Sequence, residues 1–235
     1  YQYFAVSTTA SAVSWHRFRI ALSAGPSVRF CKRQLTSVWD YPVAGKNAKR
    51  WFITANDSLG SADMRGAVLV IDKAPTLTGV SPAVKCFSNL PYNISPPVVL
   101  DGNVGQSVFL APRSDRLLRY NHASGSNVPG DTLVTGPAYP IATWGLAPDA
   151  VQPNAQRLDT LDGRFQGPSI QSRDRVWNIH TVASGGGPAI RWYRLKRTAS
   201  TTLSTHTFTS GHLFNPSFTT GSGKLDTWSR QSDGK

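Results

Sequence analysis

One stretch of the chain gathers residues that could move a proton beside a bound acid: Arg164, His180, Arg191 and Tyr193. Eliminative cleavage of an acidic polysaccharide needs a Tyr or His to shift the proton, and an arginine or metal to neutralise the substrate carboxylate. His180 and Tyr193 sit on neighbouring strand-like runs, 176–182 and 189–195, so a sheet could bring them together. The plainer reading of both is packing within that sheet, and the sequence favours it. Binding has its own candidates in Trp39, Trp144, Arg164 and Arg191. Guanidinium forks grip carboxylate or sulfate, and indole faces suit the apolar faces of sugar rings. Trp144 lies in an irregular stretch, where packing should need it least.

Hydrolysis of a glycosidic bond makes a different demand, a pair of carboxylates with one held protonated. The chain has no glutamate; all 13 acidic residues are aspartate. An all-aspartate set could draw on Asp40, Asp101 and Asp162, but the shorter side chain would need a reshaped pocket. The balance leans away from an enzyme. The five histidines show no zinc-ligand pairing. Asp159 and Asp162, beside Gly163, could bind calcium through oxygen ligands, although an Asx-type turn explains them as well; no other cofactor is expected. Cys31 and Cys86 lack any CxxC spacing. A single disulfide in an oxidising compartment and two buried thiols both remain open. Asn56-Asp57-Ser58 and Asn93-Ile94-Ser95 match the N-glycosylation sequon, a triplet that also arises by chance.

Charge narrows the partners. The chain carries 25 basic and 13 acidic residues, a formal +12, and 17 of the basic residues are arginine. Such a balance draws polyanions. No block of like charge forms a basic tail, and no nucleic-acid-binding module is recognisable, so nucleic acid is not expected as a partner. No apolar run reaches the ~20 residues of a membrane-spanning helix.

The elements that must position these residues read as strands. Pro42-Val43, Pro97-Val98-Val99, Pro168-Ser169-Ile170 and Pro216-Ser217-Phe218 each precede an alternating apolar run: Trp51-Phe52-Ile53-Thr54, Val108-Phe109-Leu110, 176–180 and Leu225-Asp226-Thr227-Trp228. The first three continue to a third run, at 67–71, 117–120 and 189–195. Strand sets recurring at this interval predict an all-β fold, a β-propeller of four to five antiparallel blades that could be part of a larger one. The Gly-rich segment 184–188 predicts a hairpin. Ser114 could cap a helix over 114–120, but the repeat places a turn and strand there. Residues 124–157 hold five prolines and read as one long irregular loop. The whole, 1–235, reads as a single domain, and its strand-like ends suggest a fragment of a longer chain.

Several segments resemble large secreted or cell-surface proteins with sialidase-like β-propellers. They are Phe4-Ala5-Val6-Ser7 with Trp15, Trp39-Asp40-Tyr41-Pro42 with Ile53-Thr54-Ala55-Asn56, Leu158 to Arg164, and the runs 176–182 and 189–193, with Asn215-Pro216-Ser217-Phe218 ahead of Trp228-Ser229-Arg230. The resemblance implies a fold and an extracellular or cell-surface location rather than chemistry. The Tyr, Glu and arginine set of sialidases is incomplete without glutamate, and the Asp-box motif is absent. The expectation is a binding or structural module whose partner is an acidic glycan or another extracellular protein. The alternatives are a lyase or atypical glycosidase on acidic polysaccharide, and a self-assembling building block of an extracellular filament or coat.

Overall fold

The structure is a computed structural model that describes residues 1–22, 31, 37–59, 63–101, 106–151 and 156–198, and the backbone of 202–209. Alternation in the first segment makes an outer layer. Strands β1 (Gln2–Ser7) and β2 (Trp15–Ile20) form an antiparallel hairpin with Phe4 opposite Phe18. Phe4, Phe18 and Ile20 turn inward, and the two phenyl rings stack at 4.8 Å. Tyr1, Tyr3, Trp15, Arg17 and Arg19 turn outward. A lone two-stranded hairpin is marginal in water. This one is seated on an apolar cluster of Ile20, Leu22, Ile53, Leu69 and Ile71, together with Cys31 and Cys86, which are joined as a disulfide.

Beneath the hairpin runs a meander of β3 (Val38–Lys46), β4 (Arg50–Ser58), β5 (Met64–Asp72) and β6 (Val84–Leu90), with a short helical turn, α1 (Lys73–Thr76), before β6. The run 67–71 in β5 is buried along both faces, which is why it is apolar without interruption. Ala67, Leu69 and Ile71 face the hairpin, and Val68 and Val70 face the other way. A second meander comprises β14 (Ser169–Ser172), β15 (Arg175–Ser184), β16 (Gly187–Lys196) and β17 (Thr202–Thr209). Gly185 and Gly186, at φ 59° and 80°, form the two-residue turn between β15 and β16. Both positions need the left-handed region that glycine enters without penalty. Strand β7 (Pro97–Val99) pairs in parallel with β3 on one side and β14 on the other, so the two meanders form one nine-stranded sheet.

A smaller sheet packs against both halves. It contains β8 (Gln106–Pro112), β9 (Arg116–Ala123), β10 (Thr132–Thr135) and β11 (Tyr139–Pro140). Val108 and Leu110 of β8 pack with Val176, Tyr193 and Leu195, while Phe109 and Ala111 pack with Phe52, Val68 and Val70. Buried side chains then add hydrogen bonds between the layers and within them. Gln171, fully buried, accepts from the Val108 N–H at 2.9 Å and donates to the Gln106 carbonyl at 2.8 Å. Asn178 donates to the hydroxyls of Ser95 and Ser169 at 3.1 and 2.8 Å, and Asn47 to Ser107 at 2.9 Å. Strands β12 (Ala150–Val151) and β13 (Arg157–Leu158) make a separate small pair.

A buried ion pair fixes the loop between β9 and β10. Arg50 donates from Nε and Nη2 to the two Asp131 oxygens, at 2.8 and 2.9 Å, and from Nη1 to Asp72 at 3.2 Å. Asp131 also accepts from the Gly125 N–H and from His122 Nε2, at 2.8 and 3.0 Å. Because the carboxylate can only accept, Nε2 of His122 carries its proton. Burial pushes the Asp131 carboxyl up, but the Arg50 and Gly125 bonds outweigh it and hold the group below its usual range.

The all-β class expected from the sequence is present, and the strand from Arg116 replaces the alternative of a helix at 114–120. None of the sheets among the described residues is closed, and a propeller is not shown. Two of the proline-led openings, read as starts of separate blades, lie side by side: Pro97 is the register partner of Ser169. Within 124–157, Val128–Gly130 forms a turn of 3-10 helix, and β10 and β11 both pair with β9. Pro129 falls in the helical turn, Pro137 and Pro148 between strands and Pro140 at a strand end, positions that need no ladder N–H, while Pro153 lies outside the described residues. The openings at Pro216 and the run at 225–228 lie outside the described residues.

Candidate functional site

The β15–β16 hairpin does bring the proton-moving candidates together. His180 stands opposite Arg191 and Asn178 opposite Tyr193, and all four side chains face inward. His180 Nδ1 lies 2.7 Å from the Gly163 carbonyl, which can only accept, so Nδ1 carries the proton. Nε2 then accepts from the Tyr193 hydroxyl at 2.7 Å. Arg191 donates to the Ala142 carbonyl at 2.7 Å and lies beside the Tyr193 hydroxyl. Trp144 meets the His180 ring edge to face at 4.7 Å, and Phe165 lies against both His180 and Tyr193.

The environment sets the protonation of this group. Burial lowers the His180 pKa to about 4 and raises that of Tyr193 to about 12. At neutral pH the imidazole and the phenol are both uncharged, and their exposures are 2% and 0%. A general base must reach its substrate, and these groups reach each other instead. The arrangement works as a hydrogen-bonded core pair. Its depressed histidine makes stability depend on pH. A histidine that is buried neutral stabilises the fold fully above its unfolded pKa of 6.5, and this contribution is lost as pH falls toward 4. His122, also lowered chiefly by burial, acts in the same direction. Melting temperature should therefore hold steady above pH 6.5 and fall below it, with His180 accounting for roughly 3 kcal/mol by pH 4. A His180→Gln variant should show a shallower slope in a pH series of thermal melts; an unchanged slope would refute this account.

Trp144 differs most from expectation. Its indole N–H donates to the Arg113 carbonyl at 2.6 Å, and its ring covers Gly163 so closely that a β-carbon there would clash with it. It is a packing residue that ties the irregular segment down over His180, not a free platform. Trp39 is also engaged: its indole N–H donates to Gln2 at 3.0 Å, and its ring lies against the cluster under the hairpin.

Arg164 lines a shallow cleft, with room for about one water molecule, together with Tyr41, Asn56, Asn93, Ile94 and Phe165. Its guanidinium lies 4.3 Å from the centre of the Tyr41 ring, and its Nε reaches Asp162 at 2.6 Å. Asp162 neutralises the arginine, so the cleft presents no spare positive charge. The Asp162 and Asp159 carboxylates also accept from the N–H groups of Arg164 and Leu161, at 3.0 and 2.7 Å, as Asx-type turns do. Among the described residues no group of three or more His, Cys, Asp or Glu side chains could hold a metal. The two sequon asparagines meet here. Asn56 donates to Asn93 Oδ1 at 2.8 Å and accepts from the Asn93 N–H at 2.7 Å.

One surface received no functional assignment from the sequence: the outward face of the β1–β2 hairpin. Trp15, Arg17 and Arg19 share that face by simple alternation, which the sequence does show. The pairing that adds Tyr3 opposite Arg19, and the Arg19 guanidinium over the Tyr1 ring at 4.6 Å, appear only with the register. No family model, curated protein or solved structure matches this chain, and nothing in those comparisons points to the sialidase-like proteins.

Proposed function

We propose that the chain is an extracellular binding module for an acidic glycan. The observation that carries this reading is the arginine-led excess of positive charge, 25 basic against 13 acidic residues. Several aspartates are already committed within the fold, Asp131 to Arg50, Asp162 to Arg164 and Asp115 to Arg116. The uncompensated cations are therefore available to polyanions. The Cys31–Cys86 disulfide supports an oxidising, extracellular setting, and no helix among the described residues is long and apolar enough to cross a membrane. The lyase alternative would need His180 or Tyr193 at a substrate, and their burial weighs against it. A propeller is the finer fold that the repeats suggest, and the binding reading does not depend on it.

Chromatography on immobilised heparin, polygalacturonate and neutral dextran tests the reading. Retention on the two acidic polymers should fall steeply as salt rises from about 0.1 to 0.5 M, where screening shortens to a few ångströms. Dextran should not retain the protein. Equal retention on dextran, or none on either acidic polymer, would refute the proposal.

A further inference from the structure

The outward face of the β1–β2 hairpin combines exposed aromatic rings, exposed arginines and a surrounding segment without acidic residues. Tyr1, Tyr3 and Trp15 are 68%, 64% and 48% exposed, large fractions for aromatic side chains. Arg17 and Arg19 are exposed beside them, and neither forms an ion pair among the described residues. Residues 1–39 contain no acidic residue at all. The register sets Tyr3 opposite Arg19, Ala5 opposite Arg17 and Ser7 opposite Trp15. Side chains two positions apart on a strand are about 7 Å apart, so the face is a strip about 13 Å long with Trp15 at one end, Arg17 in the middle and Arg19 beside Tyr3 at the other. The small Ala5 and Ser7 leave the strip open on the β1 side. Behind it, Phe4, Phe18, Ile20 and the disulfide hold the hairpin in place, so the strip is formed before any ligand arrives.

We propose that this strip is the site where a linear polysaccharide bearing carboxylate or sulfate groups binds, which rests on the acidic-glycan reading above. Arg17 and Arg19 take successive anionic groups through forked hydrogen bonds. Trp15 and Tyr3 stack against sugar faces at either end. The same chemistry would accept single-stranded nucleic acid. The disulfide directly beneath the strip belongs to an oxidising compartment, and that favours the polysaccharide.

The test compares full-length variants by titration with a heparin oligosaccharide. Arg17→Ser/Arg19→Ser should weaken binding on the order of tenfold or more and reduce the slope of log K against log salt by about 2. Trp15→Ser should weaken it several-fold with the salt slope unchanged. Arg157→Ser/Lys196→Ser removes the same charge from exposed positions elsewhere and should leave affinity within about twofold. Because all these side chains are exposed, melting temperatures should match wild type. If wild type binds and the control loses as much as the Arg17/Arg19 pair, binding is diffuse and the strip is not the site. If wild type binds no acidic oligosaccharide, the ligand class itself fails. Tighter binding of oligo(dT) than of heparin, lost in the same Arg17/Arg19 variant, would overturn the polysaccharide in favour of nucleic acid.

Discussion

Replacing Asp131 with asparagine is expected to cost about 3–5 kcal/mol, because it strands a buried cation. Arg50 is 3% exposed, and among the described residues its only other carboxylate partner is Asp72 at 3.2 Å, a side chain that is itself partly exposed. The substitution also weakens the acceptor for His122 Nε2 and the Gly125 N–H. His122 Nδ1 is already buried with no hydrogen-bond partner among the described residues, so the imidazole depends on its Nε2 bond to Asp131. Lys85 bonds the Pro129 and Asp131 carbonyls at 2.7 and 2.6 Å and would keep the loop near its place without restoring the charge balance. Urea denaturation should show the loss, and a double-mutant cycle with Arg50→Met should show that the two changes together cost less than their sum. A single-variant loss below about 1 kcal/mol would mean that the pair is solvated and that this account of the loop is wrong.

Removing the disulfide is expected to have an effect of similar size but a different pattern. The bond closes a sequence separation of 55 residues. In the chain-entropy model a loop of that size corresponds to about 4 kcal/mol, most of it acting on the unfolded chain. For a chain of this length, the melting temperature of Cys31→Ser/Cys86→Ser should fall by roughly 10 °C. The position of the bond adds a local expectation. Cys86 belongs to β6, and Cys31 is bonded through its N–H to the Leu22 carbonyl, just past the hairpin. Amide exchange in β1 and β2 should therefore accelerate well before exchange in β4 and β5. Uniform acceleration across all four strands would show that the bridge does not anchor the hairpin.

The sequence made the strands easier to read than their neighbours. The run 67–71 and the hairpin around Gly185-Gly186 are where periodicity and turn chemistry put them. The proline-led openings at Pro97 and Pro168 were equally visible, yet the same signal serves a blade and a parallel join, because alternation encodes which face is buried and not which strand lies alongside. His180, Arg191 and Tyr193 came together because they lie on the two arms of a recognisable hairpin. Trp144 did not reveal its role, since the partner of a loop side chain carries no local periodic mark. Arg50 and Asp131 are separated by 81 positions, and neither residue type announces burial.

The layering also constrains how the chain reaches its native state. Ser95 and Gly167, 72 positions apart, are joined by one hydrogen bond, and the parallel seam around β7 depends on equally distant encounters. The central β8–β9 pair can form early from its own short connection. The seam needs strands of both flanking meanders in place on either side of β7. Distant pairing of this kind slows the search for the native state into the millisecond-to-second range or beyond. During that interval the apolar faces of β5 and β15 lack their final cover, and newly made chains are most vulnerable to aggregation before the seam closes.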